Sequence, residues 1–162
     1  SKLNKAKTAV TACVSSFNRI PDFGRMTKSD IEDWINNCNF DDGDKKFLKN
    51  ASDKGNAFVR ILDATKINEA AKASDEFRVY LMSNIIFLEP ELKDKFEKIE
   101  EKLRSAWAAR KVDFDHNNAE LLMKAFKILD EKVKPLMNDI ENKVQSKLFP
   151  NFSVKEGKSI ND

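Results

Sequence analysis

Four glycines and four prolines are few for a chain of 162 residues, and they leave little material for the tight turns of hairpins and sandwiches. One histidine and two cysteines fall short of the four nitrogen and sulfur ligands of a structural zinc site. No apolar run approaches the ~18 residues that a membrane span needs. The densest stretch, Val79 to Leu88, holds eight apolar residues in ten and is broken by Ser83 and Asn84. Charge of a single sign is missing as well. Lys+Arg number 29 against 27 Asp+Glu, and the signs are interleaved, so the basic stripe of a nucleic-acid binder is absent and no nucleic-acid partner is expected.

The motifs of catalysis are also missing. No phosphate-cradling glycine loop, nucleophile elbow or dinucleotide fingerprint occurs. His116 stands alone in a polar Asp-Phe-Asp-His-Asn-Asn stretch, where a solvated or capping role is the ordinary one. The acidic run Asp41-Asp42-Gly43-Asp44 invites a calcium loop. Aligning Gly43 with that loop's glycine, however, puts Cys38 and Phe40 where oxygen ligands belong. The chain therefore reads as a non-enzyme that carries no cofactor and no metal.

What is there is helical periodicity. Leu3, Ala6, Val10, Cys13, Phe17 and Ile20 step by threes and fours, which predicts a first helix from about Lys2 to Arg19, ended by Ile20-Pro21-Asp22-Phe23-Gly24. Thr27 and Asp30 form a capping box for a second helix reaching Cys38, with Ile31, Ile35 and Cys38 on one face and Trp34 at its edge. Asp42 or Asp44 caps a third, striped by Phe47, Ala51, Phe58 and Leu62 with Gly55 among them, and Thr65 and Asn68 mark a break. A fourth runs from about Asn68 to Leu88, where Glu89-Pro90 forms a boundary. The fifth carries Leu92, Phe96, Ile99, Leu103 and Trp107, with Glu91→Lys95, Asp94→Lys98 and Glu100→Arg104 pairs on its outer face. After a loop at Asp113 to Asn118, Leu122, Phe126, Leu129, Val133, Leu136, Ile140 and Val144 mark a last helix from Asn117 to Leu148. Pro135 should kink or break it near Glu131–Pro135. The expected fold is an all-α, antiparallel bundle of five to seven amphipathic helices. It forms a single domain over residues 1–150, followed by a polar, mobile tail over 151–162.

Cys13 and Cys38 each lie on the apolar face of their own helix, across a short connection. That placement predicts a disulfide stapling an N-terminal helical hairpin, and with it an oxidising compartment and secretion. The sequons at Asn50 and Asn151 fit that reading but add almost nothing, since 15 asparagines yield such triplets by chance.

Apolar composition gives the one feature above background. Twelve phenylalanines are spread over the chain, and the fourth helix is apolar around most of its circumference, which places it at the centre of the bundle. Two readings stand side by side. In the first, the protein is a secreted carrier of a fatty acid or similar hydrophobic ligand, in a cavity lined by Phe77, Tyr80, Leu81, Asn84, Ile85 and Leu88 with Phe126 opposite. Ser83 and Asn84 either orient a headgroup there, or Ser83 bonds back to the Val79 carbonyl while Asn84 faces a loop. In the second, the core is solid and the protein is a secreted or surface-exposed interaction module, of the parasite or salivary host-binding kind, with a protein partner. A reduced intracellular scaffold is a third. In length and amphipathic helices the chain is similar in a general way to exchangeable insect lipid carriers of the apolipophorin type. No motif carries that likeness, and the cysteines and tryptophans depart from it, so no residue role is taken from it.

Overall fold

Capping chemistry sets the start of most helices. The computed structural model describes residues 1–15, 18–116 and 118–148. Within them α1 (Lys2–Val14) is capped by the Ser1 side chain, and α2 (Lys28–Asn37) by the full Thr27–Asp30 box. Asp41 caps α3 (Asp42–Asn50), accepting from the Asp44 amide at 2.8 Å. Asp53 caps α4 (Lys54–Asn84), accepting from the Asn56 amide at 2.9 Å. A 3₁₀ turn at Ile85–Phe87 leads to Pro90, the first residue of α5 (Pro90–His116). The last helix is one rod in two parts, α6 (Ala119–Ile128) and α7 (Lys134–Leu148), joined by a π-helical turn at Leu129–Val133. The interruption expected near Pro135 is that π turn, which absorbs the missing N–H and the clash of the ring with the preceding turn. No strand occurs among the described residues.

Ion pairs reveal the direction of each helix. Lys2 and Lys5 of α1 bond Glu76 near the end of α4, whereas Arg110 of α5 bonds both Asp63 of α4 and the carbonyl of Cys13. Hence α1 runs antiparallel to α4 and parallel to α5. Glu89 and Glu91 at the start of α5 bond Lys147 and Lys143 at the end of α7, so that pair is antiparallel too. The main bundle is therefore up-down-up-down, formed by α1, α4, α5 and the α6–α7 rod.

Two cores share α4. The larger joins Val10 and Cys13 of α1, Ile67, Ala70, Phe77 and Leu81 of α4, Ile99 and Leu103 of α5, and Val133, Met137 and Ile140 of the last rod, with Trp107 packed against it. The smaller sits on the first turns of α4 and joins Ile35, Leu48, Ala57, Phe58 and Ile61. An edge-on aromatic cluster closes it: Phe23, Trp34 and Phe58 meet at centroid separations of 5.3, 5.6 and 6.1 Å, and Phe40 reaches Phe58 at 5.6 Å.

Several expectations are corrected. No disulfide forms between Cys13 and Cys38. Cys13 is buried in the main core, while Cys38 is the C-cap of α2, its thiol donated to the Ile35 carbonyl at 3.0 Å. The physical reason is that α1 packs on α4 and α5, not on α2, so neighbours in sequence are not neighbours in space. The inference to an oxidising compartment loses its main support with the bond. No break occurs at Thr65 and Asn68: α4 is continuous over 31 residues, and the Thr65 hydroxyl bonds back to the Ile61 carbonyl at 3.0 Å. The true break comes earlier, at Ala51–Asp53. Helix one ends at Val14 rather than Arg19, with Ser15 as its C-cap. Phe17, Asn117, the Asn151 sequon and the polar tail lie outside the described residues. All three pairs expected on α5 form, at 3.3, 2.7 and 3.7 Å, although Glu100 is buried rather than on the outer face.

The cores meet at a buried polar node. Arg110 donates to Asp63 and to Asp113, both at 2.6 Å, and to the Cys13 carbonyl at 3.3 Å, one of the acceptors left over where α1 ends. Asn18 donates to Asp63 at 3.1 Å and accepts from Lys66 at 2.6 Å. Arg110→Met should lower unfolding free energy by about 3–5 kcal/mol in urea titration, because both carboxylates stay behind unpaired. Adding Asp63→Leu and Asp113→Leu should recover most of that, and a loss below about 1 kcal/mol for the single variant would contradict this account. Burial also pushes the Cys13 thiol up to about 11, so at pH 8 its thiolate share is about one in a thousand. Thiol titration without reductant should therefore find two thiols in denaturant, with Cys13 unreactive in the native protein.

Candidate functional site

The apolar surface that the helices leave unfilled is a groove of about 530 Å³ at the end of the bundle remote from the node. Four helices build it. Leu3 comes from the first turn of α1, Phe77 and Tyr80 from α4, Phe96 from α5, and Met137, Ile140 and Val144 from α7. The α7 residues step by three and four and so share one face of that helix. Lys2, Asn4, Glu141 and Gln145 form a polar rim.

The groove opens beyond the π turn. Before that turn α6 packs on both α1 and α5; past it α7 packs on α5. Ion pairs fix the walls. Lys2 and Lys5 reach Glu76 at 3.0 and 2.9 Å, tying the start of α1 to α4. Hydrogen bonds from Lys5 and Lys2 hold the Glu76 carboxyl down at about 2. A depressed carboxyl holds its link above the ordinary carboxylate range, and the link is lost as pH falls through about 2. On the other wall Lys95 bridges Glu91 and Asp139 at 3.3 and 3.6 Å, beside the Glu91–Lys143 and Glu89–Lys147 pairs.

The residues expected to line a ligand cavity are distributed differently. Phe77 and Tyr80 line the groove. Leu81 is buried in the main core, and Leu88 packs against that core from its edge. Ile85 is half-buried in the 3₁₀ turn. Ser83 and Asn84 are spent on the helix, donating to the carbonyls of Val79 at 2.9 Å and Tyr80 at 2.7 Å. Phe126 is not opposite them. It lines a separate groove of about 260 Å³ between α1 and the last rod, with Lys7, Thr11, Ser15, Leu129 and Val133. Nor is the end of α4 central to the bundle: Val79, Tyr80, Met82, Ile86 and Phe87 are exposed. An all-round apolar helix end here means one packed face and one bare face.

Leu3, Phe96, Met137, Ile140 and Val144 were legible only as members of core stripes. Met137, Ile140 and Val144 lie past the π turn ahead of Pro135, and nothing local in the sequence distinguishes the five from fully covered core positions. Among the described residues no group of three or more His, Cys, Asp or Glu is placed to hold a metal, and the acidic run at Asp41–Asp44 serves to cap α3. His116 is exposed at the last turn of α5. No helix is long and apolar enough to cross a membrane among those residues. No family model, no curated protein and no solved structure matches the chain.

Since Leu81 is within the packed core, Leu81→Trp should overpack it and lower unfolding free energy by about 1–3 kcal/mol in urea. An unchanged midpoint would reveal a void beside Leu81.

Proposed function

We propose that the protein is a non-enzymatic helical binding protein that holds an extended apolar ligand of the fatty-acid type in the groove between α1, α4, α5 and α7. The observation that carries this reading is the convergence of seven apolar side chains from four helices on one concave surface of about 530 Å³. That volume falls within the ~300–1,000 Å³ range of small-molecule sites. The polar rim suits a ligand with one polar end, because Asn4 and Gln145 offer side-chain amides where a headgroup would emerge, while Lys2 is engaged by Glu76. The ligand surface is the open groove rather than an internal cavity, since Leu81 and its neighbours fill the interior. The second reading, an interaction module, draws on the bare apolar face at the end of α4.

A dansylated fatty acid should bind saturably with a micromolar dissociation constant, about −8 kcal/mol. Val144 is 38% exposed, so Val144→Asp should place a charge in the groove without unfolding the protein and weaken binding at least tenfold. Phe126→Asp, in the other groove, should leave binding unchanged. Absence of saturable binding, or binding indifferent to Val144→Asp, would overturn the proposal.

A further inference from the structure

The segment from Val79 to Leu88 contains no charged residue in a chain in which 35% of residues are charged. Val79, Met82 and Ile86 step by three and four, and Tyr80 and Phe87 lie beside them. All five are more than half exposed, Ile86 at 81% and Phe87 at 78%. Tyr80 and Phe87 contribute about 150–250 Å² each when fully covered and the three aliphatic side chains less, so the exposed part of the five comes to roughly 600 Å² at most. That is at the upper limit, roughly 600 Å², of the largest apolar patch on an ordinary monomer.

The surrounding charges narrow the choice of partner. The nearest acidic groups along the chain, Glu89 and Glu91, are neutralised by Lys147 and Lys143. On the other side Arg78 is neutralised by Asp75 at 2.8 Å. With the charges that flank it along the chain paired, the face presents neither an acidic nor a basic partner with a flanking charge to select. It also does not repel a copy of itself, which is the requirement of a two-fold contact.

We infer that this face pairs with the same face of a second copy of the chain, forming a symmetric dimer through Val79, Tyr80, Met82, Ile86 and Phe87. Two such patches bury at most about 1,200 Å², the lower limit for a specific interface, so the dimer is weak, with a micromolar dissociation constant. The inference goes beyond the groove reading. Tyr80 borders both surfaces, but Ile86 and Phe87 are not among the groove residues, so substitutions at those two test the dimer apart from the groove.

Sedimentation equilibrium over about 1 to 500 μM brackets that affinity. The apparent mass should rise with concentration from 18.6 kDa toward twice that value. The rise should persist in ~1 M sodium chloride, because screening does not weaken an uncharged contact. The variant Ile86→Asp/Phe87→Asp should remain monomeric over the same range, with wild-type circular dichroism and thermal midpoint, since both side chains are exposed. Ile86→Ser/Phe87→Ser, which adds no charge, should weaken association at least tenfold. A wild-type protein monomeric throughout, or a doubly substituted one that still dimerises, would overturn the inference. So would a monomer that instead sediments with phosphatidylcholine vesicles, which would assign the face to a lipid surface.

Discussion

The guanidinium of Arg110 is the constraint on which the arrangement of helices depends. A buried cation must be surrounded by acceptors, and Arg110 draws them from three places: the last turn of α1, the first third of α4 and its own helix. Its fork geometry makes the arrangement directional, so sliding α1, α4 or α5 by one turn, about 5.4 Å, breaks the node. Apolar packing alone is more forgiving, because Leu, Ile and Ala on adjacent turns of neighbouring helices can exchange places. The node therefore sets axial register where the core sets proximity. That register carries through to the far end of the bundle. Phe77 lies fourteen residues beyond Asp63 and Phe96 fourteen residues before Arg110, so both travel about 21 Å along antiparallel helices and arrive at the same level. The groove is assembled from a distance.

The same economy explains the long α4. Its first turns belong to the small core and the remainder to the large one, so no separate linker joins the two. The connection between α1 and α4, which contains α2 and α3, is held by the edge-on contacts of Phe23, Trp34 and Phe58 and the tilted contact of Phe40 with Phe58. Part of the phenylalanine content thus seals a second, smaller core rather than surrounding a void.

Much of this was legible in residue spacing. The Thr27–Asp30 box, the Glu89-Pro90 boundary, the stripe of α5 and the disturbance ahead of Pro135 all appear where local chemistry demands them, because caps and prolines act within one turn of the chain. What could not be read is tertiary. The hairpin expected from Cys13 and Cys38 assumed that consecutive helices pack together, whereas α1 docks on helices that follow more than fifty residues later along much of their length. The stop at Thr65 and Asn68 failed because a polar side chain can bond back to its own helix and let it continue. Of the seven residues expected to line a cavity, Phe77 and Tyr80 border the groove. Their groove neighbours on α1, α5 and α7 were not expected there, since a stripe of apolar residues reads the same whether its face is fully covered or half open. Asp63, Arg110 and Asp113 passed unnoticed for a related reason: in so charged a chain nothing local distinguishes a buried ion from a solvated one.

The aromatic residues with useful ultraviolet spectra happen to divide the molecule. The chain has two tryptophans and one tyrosine. Trp34 belongs to the small core and Trp107 packs on the large one, while Tyr80 stands at the lip of the groove. Each region of the molecule thus carries its own intrinsic chromophore. Loosening of the α2–α3 lobe, melting of the main bundle and a change at the groove report through different rings, so a departure from all-or-none behaviour is visible in the unmodified protein without an added label.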